Sequence, residues 1–275
     1  MKRPIITLLT DFGTSDHYVA AMKGVILGIC PEARLIDITN DITPYAIAEG
    51  AYTLAQAWHC FPQGTTHLAV VDPGVGSERR AILAEAAGHR FVAPDNGLLS
   101  LVLRAVPNAT VREISEARFF RDTVSRTFHG RDIFAPVSAH VARGIAPKQF
   151  GSVIKDTIQG NFSAIFQERS VSWRASILKI DRFGNVISNL DSEKCARIAN
   201  EPFEIRIGSH TVDTFRATYD EARAGEIFAL FGSSGLVEIS SNQADAAKKL
   251  RVRAGSPVTL RFLRKPRTRT AVRSR

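Results

Sequence analysis

Between Ile5 and Val71 the chain reads "IITLL" (5–9), "DHYVAAMKGVILGIC" (16–30), "RLIDI" (34–38), "AIAEGAYTLAQAWHCF" (46–61) and "THLAVV" (66–71). Short apolar runs of strand length alternate with segments whose apolar residues return every three or four positions. In the second segment Val19, Met22, Val25, Ile26 and Ile29 fall on one helical face, and Pro31 ends the run. This alternation predicts βαβ units and a parallel sheet. The last apolar run stops on a carboxylate and turns through Pro-Gly, giving "VVDPGVGSERR" (70–80). Asp72 is therefore expected at the C-terminal end of a buried strand, where open α/β sheets hold their ligands.

Further along, "RFVAPDNGLLSLVLRAV" (90–106) reads as strand, loop and helix, and "GRDIFAPVSAHVARG" (130–144) as a helix containing Pro136. The character changes after "NFSAIFQERSVSW" (161–173). From there "RASILKIDRFGNVISNL", "FEIRIGSHTVDTF", "GEIFALFGSSGLVEISS" and "SPVTLRFL" are strand-like runs separated by turn residues, with few helical periods between them. The fold class expected is α/β, with a mostly parallel sheet flanked by helices in residues 1–165. A mainly antiparallel sandwich or barrel follows in residues 166–263, and a basic tail in residues 264–275.

The chain has 275 residues, 44% of them hydrophobic, enough for a substantial core. The apolar run in "MKRPIITLLTDFG" is too short for a secretory leader and is broken by Asp11, and nothing approaches the roughly 20 apolar residues of a membrane span. A cytoplasmic protein with no membrane partner is expected. Cys30, Cys60 and Cys195 are widely spaced and odd in number, so neither a disulfide framework nor a metal-binding pair is indicated. Six of the surplus cations (Arg264, Lys265, Arg267, Arg269, Arg273, Arg275) sit in the tail, and without them the net charge falls from +9 to +3. A short basic tail is usually solvated, so a nucleic-acid partner is not expected.

Several signatures are absent. Gly74 and Gly76 lack the third glycine of a dinucleotide fingerprint, because Arg79 stands in its place. There is no phosphate-binding Gly-Lys-Ser/Thr loop, no His-Glu-x-x-His helix and no Gly-x-Ser-x-Gly elbow. What remains is a set of polar side chains at strand ends and in glycine turns: "TDFGTSD", "DPGVGSERR", "APDNG", "TFHGRD" and "DRFGN". Each alone is readable as a turn, and loops so placed can also converge on one pocket. One echo links the halves, since "LLTDFG" and "KIDRFGN" both end a strand with Asp close to Phe-Gly.

Seven strings, "TDFGTSDHYVAAMKG", "ITPYAIAEGAY", "VVDPGVGSERR", "APDNGLL", "TFHGRDIFAPVSAH", "IDRFGNVISN" and "FGSSGLVEIS", resemble in order the S-adenosyl-L-methionine hydroxide adenosyltransferases, relatives of fluorinating and chlorinating enzymes. The resemblance implies an N-terminal α/β domain, a C-terminal β-barrel domain, and a homotrimer whose sites lie between subunits. It implies hydrolysis of S-adenosyl-L-methionine to adenosine and L-methionine by activated water, with no metal and no organic cofactor. On this resemblance Asp72, Arg79 and His129 are the catalytic set, with Arg80 the rival to Arg79. Substrate contacts fall to Asp11 (ribose diol), Asp16 and Asp181 (methionine ammonium), Tyr45, Phe183, Asn185 (adenine edge) and Ser233 (methionine carboxylate). The halogenating relatives lack the catalytic set and carry an insertion after Arg80 that is missing here. The competing readings are a methyltransferase using the same ligand, a nucleoside- or S-adenosyl-L-methionine-binding protein without turnover, and a halogenase.

The chemistry implied is economical. A sulfonium leaves as a neutral thioether, so no acid is needed, and the protein must supply in-line placement of water and a proton acceptor.

Overall fold

The computed structural model describes residues 3–162, 165–167 and 172–263, so the basic tail lies outside the described residues. The chain divides into two compact units, Met1–Asn161 and Phe162–Arg275.

The first unit is built on a seven-stranded sheet. Its strands are β1 (Ile5–Thr10), β2 (Arg34–Thr39), β3 (Thr66–Val70), β4 (Ala81–Ala86), β5 (His89–Pro94), β6 (Thr110–Glu113) and β7 (Val153–Ile154), in the order β2-β1-β3-β5-β4-β6-β7. The pairs β1/β2, β1/β3 and β3/β5 are parallel. The pairs β4/β5, β4/β6 and β6/β7 are antiparallel. The sheet is thus mixed, with β4 and β7 running against the other five. The switch occurs at a two-residue turn, Ala87-Gly88, where both residues have positive φ (49° and 80°) and the right-handed twist of a tight hairpin is met.

Helices cover both faces, which is why β1, β3, β4 and β5 are buried almost throughout. On one face α1 (Tyr18–Ile29) and α4 (Ala135–Ala142) pack together and bury Val19, Met22, Ile26, Val137 and Val141 against Ile6, Leu8, Leu68 and Val70. On the other, α2 (Ile47–Ala57) and α3 (Ser100–Ala105) pack together, burying Leu54 and Val102. The expected helix over 130–144 has a different start. Gly130–Phe134 forms a π-helical turn and α4 begins only at Ala135, with Pro136 in its first turn. Proline has no N–H to offer the Asp132 carbonyl, and that carbonyl accepts instead from Arg121 N at 3.0 Å.

The second unit has strands β8 (Ile165–Gln167), β9 (Ser172–Ile180), β10 (Val186–Asp191), β11 (Phe203–Ile207), β12 (His210–Val212), β13 (Ile227–Phe231), β14 (Leu236–Ser241) and β15 (Pro257–Phe262). They pair antiparallel in the order β12-β11-β15-β9-β10-β14-β13, with β8 against β9. The ends of this path approach each other: Phe215, just past β12, bridges Ala229 of β13, with Ala229 N to Thr214 O at 2.8 Å and Arg216 N to Ala229 O at 2.9 Å. The result is a nearly closed barrel filled by Ile177, Val186, Leu190, Ile205, Val237, Ile239 and Leu260. A short α5 (Ala246–Leu250) is capped by Asp245, whose carboxylate accepts from Lys248 N.

Candidate active site

Two carboxylates stand side by side at the C-terminal edge of the first sheet. β1 and β3 are neighbours with Thr10 opposite Val70, so Asp11 and Asp72 leave the sheet within one residue of the same level. Asp11 Oδ2 accepts from Tyr45 N at 2.8 Å. Burial lifts the Asp11 carboxyl above its ordinary value, the Tyr45 N–H opposes this, and the nearby Asp72 charge adds to the rise.

Beyond Asp72 the chain forms a compact loop. Asp72 O accepts from Val75 N, and Gly74 O from both the N and Oγ of Ser77. Gly76 has φ of 80° and a Cβ there would lie 2.3 Å from Arg126 O, so only glycine lets this loop meet the segment that leads to His129. Arg79 then turns back. Its Nε lies 2.9 Å from both Asp72 oxygens, its Nη2 reaches Oδ2, and Nη2 also lies 2.8 Å from His129 Nδ1. The guanidinium stands 5.1 Å from the Phe134 ring centroid. The Asp72 and Arg79 side chains are 5% and 9% exposed.

A guanidinium only donates, so His129 Nδ1 is the acceptor and the neutral ring carries its proton on Nε2. Burial lowers the His129 pKa below the ordinary imidazole value, and the Arg79 charge lowers it further, while Asp72 and Asp132 oppose the change. The ring is therefore neutral at pH 7 and presents an N–H through Nε2. The lone pairs still open in the cluster belong to the Asp72 carboxylate. Arg80 turns away from this group: Nε and Nη2 bind Asp95 Oδ2 at 3.0 and 2.7 Å, and Nη1 binds Asp156 Oδ1 at 2.8 Å. The adjacent arginines are thus separated by direction.

Among the other expected residues of the first unit, Tyr45 is 73% exposed and has positive φ (68°), its backbone held by Asp11. Asp16 is exposed in the loop before α1. Phe12, Tyr18 and Phe128 form an aromatic cluster, with centroids 5.1–5.9 Å apart, beside this loop. Asp132 is fully buried and binds Arg131, Arg121 and Ser125 N, which fixes the π turn directly after His129.

In the second unit Asp181 follows β9 as Asp11 follows β1. Its Oδ1 accepts from Phe183 N and Asn185 N, and its Oδ2 from Asn185 Nδ2, each at 2.9 Å. Gly184 (φ 87°) completes the turn where a Cβ would strike Asp245. The turn opens on a cleft of about 530 Å³ lined by Asp181, Phe183, Asn185, Tyr219, Asn242 and Asp245, among others. Phe183 is 79% exposed and offers an apolar ring face, and Asn185 keeps its Oδ1 for another donor. Ser233 stands outside that lining, exposed in the turn between β13 and β14.

Two features of these sites carried no sequence signal: the π turn, and Tyr219, whose hydroxyl donates to Glu238 at 2.6 Å. The cysteines are free, and burial pushes the Cys195 thiol up to about 12. No group of three or more His, Cys, Asp or Glu residues arranged to hold a metal occurs among the described residues.

The first unit is an α/β sheet with an Asp–Arg–His cluster at its C-terminal edge, and the second a β-barrel with an Asp-x-Phe-Gly-Asn turn over a cleft. Residues 6–151 match the family model for the SAM hydroxide adenosyltransferase N-terminal domain and residues 175–259 that for its C-terminal domain. The chain belongs to the SAM hydroxide adenosyltransferase family.

Among curated relatives it is 35% identical over 254 residues to the (R)-S-adenosyl-L-methionine hydrolase of Salinispora arenicola, covering 92% of this chain and 95% of that one. It is 33% identical over 265 residues to that of Thermus thermophilus, covering 94% and 99%. A fluorinase of Nocardia brasiliensis is 27% identical over 299 residues, covering 94% and 97%. That alignment is longer than the first for a similar share of this chain, so the fluorinase holds residues with no counterpart here. A solved structure of an uncharacterized conserved protein from Thermotoga maritima superposes with TM-score 0.84 at 32% identity, covering 93% of this chain and 99% of that one.

Proposed function

We propose that this protein hydrolyses S-adenosyl-L-methionine to adenosine and L-methionine, water attacking the ribose C5′. The observation that carries this reading is the Asp72–Arg79–His129 cluster beside Asp11, in a chain whose relatives at 33–35% identity are named hydrolases of this substrate. Water lies between the Asp72 carboxylate, which accepts its proton, and His129 Nε2–H, which orients its oxygen. As the C5′–O bond forms and the C5′–S bond breaks, the attacking oxygen becomes an oxonium far more acidic than a carboxylic acid. A weak base in the right place therefore suffices. Arg79 holds the carboxylate by its fork and keeps His129 in one tautomer. With Nδ1 engaged by Arg79 and Nε2 carrying the ring proton, the task of proton acceptor falls in this reading to Asp72 rather than to the imidazole.

Asp11 accepts from the ribose diol, Asn185 and the Phe183 ring hold adenine, and Asp16, Asp181 and Ser233 hold the amino-acid end, with Tyr45 beside the ribose. Asp181 spends much of its acceptor capacity on its own turn, which leaves the ammonium a share rather than the whole carboxylate. These ligands divide between the units, and the family resemblance supports a homotrimer in which each pocket takes its first-unit residues from one subunit and its second-unit residues from the next. No helix among the described residues is long and apolar enough to cross a membrane, in keeping with a cytoplasmic enzyme. No metal or organic cofactor enters the scheme.

The relatives' names carry an (R) prefix. Because L already fixes the methionine carbon, the prefix designates the sulfonium, and we infer that this chain prefers the same epimer. The test is chromatography of products from an epimeric substrate mixture. Release of adenosine and methionine in equal amounts, with the (S) epimer left behind, is expected. S-adenosylhomocysteine would indicate a methyltransferase, a need for chloride a halogenase, and stoichiometric binding without methionine a sensor.

A further inference from the structure

The "APDNG" turn has no role in the chemistry above, yet it touches both ends of the loop that carries Asp72 and Arg79. Asn96 Nδ2 donates to Val71 O at 2.8 Å, fixing the peptide immediately before Asp72. Asp95 N donates to Arg80 O at 2.9 Å, and the Asp95 carboxylate binds the Arg80 side chain, fixing the residue immediately after Arg79. Asp95 is 2% exposed and is itself held by Ile158 N through its other oxygen at 2.9 Å. Arg80 is further tied to Asp156 through both the carboxylate and the carbonyl.

We propose that Asp95 and Asn96 are positioning residues, which hold Asp72 and Arg79 at the separation that lets Arg79 reach carboxylate and imidazole together. The physical reason is leverage. Successive side chains of an extended segment point to opposite sides, so anchoring Arg80 outward, just before β4, turns Arg79 inward. Between the two anchors the loop is held by its own turns and by the Gly76 approach to Arg126. Two consecutive residues at the end of β5, the strand next to β3, therefore set the geometry of a pair they do not touch. This inference rests on the hydrolase reading for its kinetic consequence, while the geometric consequence stands apart from it.

The experiment uses Asn96→Ala, Arg80→Gln and Arg80→Lys in the full chain, with Asp95 left intact because it is buried. Initial rates give kcat and KM for S-adenosyl-L-methionine, thermal melts give stability, and NMR of the histidine rings follows the His129 titration. A misplacement of about 1 Å costs roughly a hundredfold in rate. Asn96→Ala and Arg80→Gln are expected to lose about tenfold to a hundredfold in kcat with KM little changed, and Arg80→Lys to recover part of the loss. The His129 midpoint is expected to rise toward the ordinary imidazole value as Arg79 withdraws, with Asp72 and Asp132 still facing the ring. Unchanged kcat in both Asn96→Ala and Arg80→Gln would overturn the proposal. So would losses that follow the melting temperature with the His129 midpoint unmoved. If Arg80→Gln fails to fold, Asn96→Ala and Arg80→Lys decide. A wild-type protein that releases no adenosine refutes the hydrolase reading instead, and the His129 midpoint then decides the positioning claim.

Discussion

Replacing Arg79 by lysine keeps the charge and removes the fork. Arg79 makes contacts from Nε and Nη2 to Asp72 and one from Nη2 to His129 Nδ1. An ammonium is a point charge and cannot satisfy the carboxylate and the imidazole in this geometry. At least one charge-assisted hydrogen bond is lost, worth about 1.5–3 kcal/mol. If that bond is needed in the transition state, kcat falls roughly 10- to 150-fold at about 1.4 kcal/mol per factor of ten. Asp72 stays paired, so melting should move only slightly. The pH profile adds a second reading. Burial and the Arg79 charge hold the His129 pKa below the ordinary value, so wild-type kcat is expected to be flat through neutrality and to fall only on the acid side. Without the donor at Nδ1 the ring becomes easier to protonate, and the acid limb should shift upward. Initial rates of adenosine release from pH 5 to 9, by chromatography, measure both effects. A lysine variant with kcat within twofold of wild type and an unmoved limb would refute the reasoning.

Mixing two inactive proteins tests the proposed sharing of the site between subunits: for the proposed trimer, subunits carrying Asp72→Ala and subunits carrying Asn185→Ala, unfolded and refolded together, should regain about a quarter of wild-type activity, since random mixing would pair two intact halves at one site in four. No recovery, with mixed trimers shown by mass, would place both residues in one subunit's site. Gly76→Ala should destabilise by roughly 1–3 kcal/mol, because positive φ and the Arg126 carbonyl both oppose a Cβ. Gly24→Ala, in α1 with nothing within 4 Å of the added carbon, should instead stabilise by about 0.5–1 kcal/mol. Both are read from chemical denaturation.

Acid should also destabilise the fold. Burial lowers the pKa of His89, His129 and His140, and that of His67 to about 3. Below about 6.5 the unfolded chain binds protons that the folded one refuses, so stability falls as pH drops from there. His67→Gln should flatten that slope, and an unaltered slope in denaturation curves would count against this account.

The parallel half of the first sheet was legible because its strands and helices have different periods: β1, α1, β2, α2 and β3 all follow the pattern of the first 71 residues. The antiparallel half was harder to read. The β4–β5 hairpin turns on Ala87-Gly88, without the Asn-Gly or Asp-Gly pair that marks such turns. Strand β7 has only two residues, too few for any period. For the site, Asp72 at a strand end was visible from its own neighbourhood. That Arg79 rather than Arg80 faces it was not, because the choice depends on Asp95 and Asp156, distant in sequence. The protonation pattern of His129 was likewise hidden, since it depends on a donor fifty residues away.

Turnover of S-adenosyl-L-methionine in oxygen-18 water, followed by mass spectrometry of both products, reads the bond made and the bond broken at once. The account predicts one heavy oxygen in the 5′-hydroxyl of adenosine and unlabelled methionine. Unlabelled adenosine, or label in methionine alone, would contradict it.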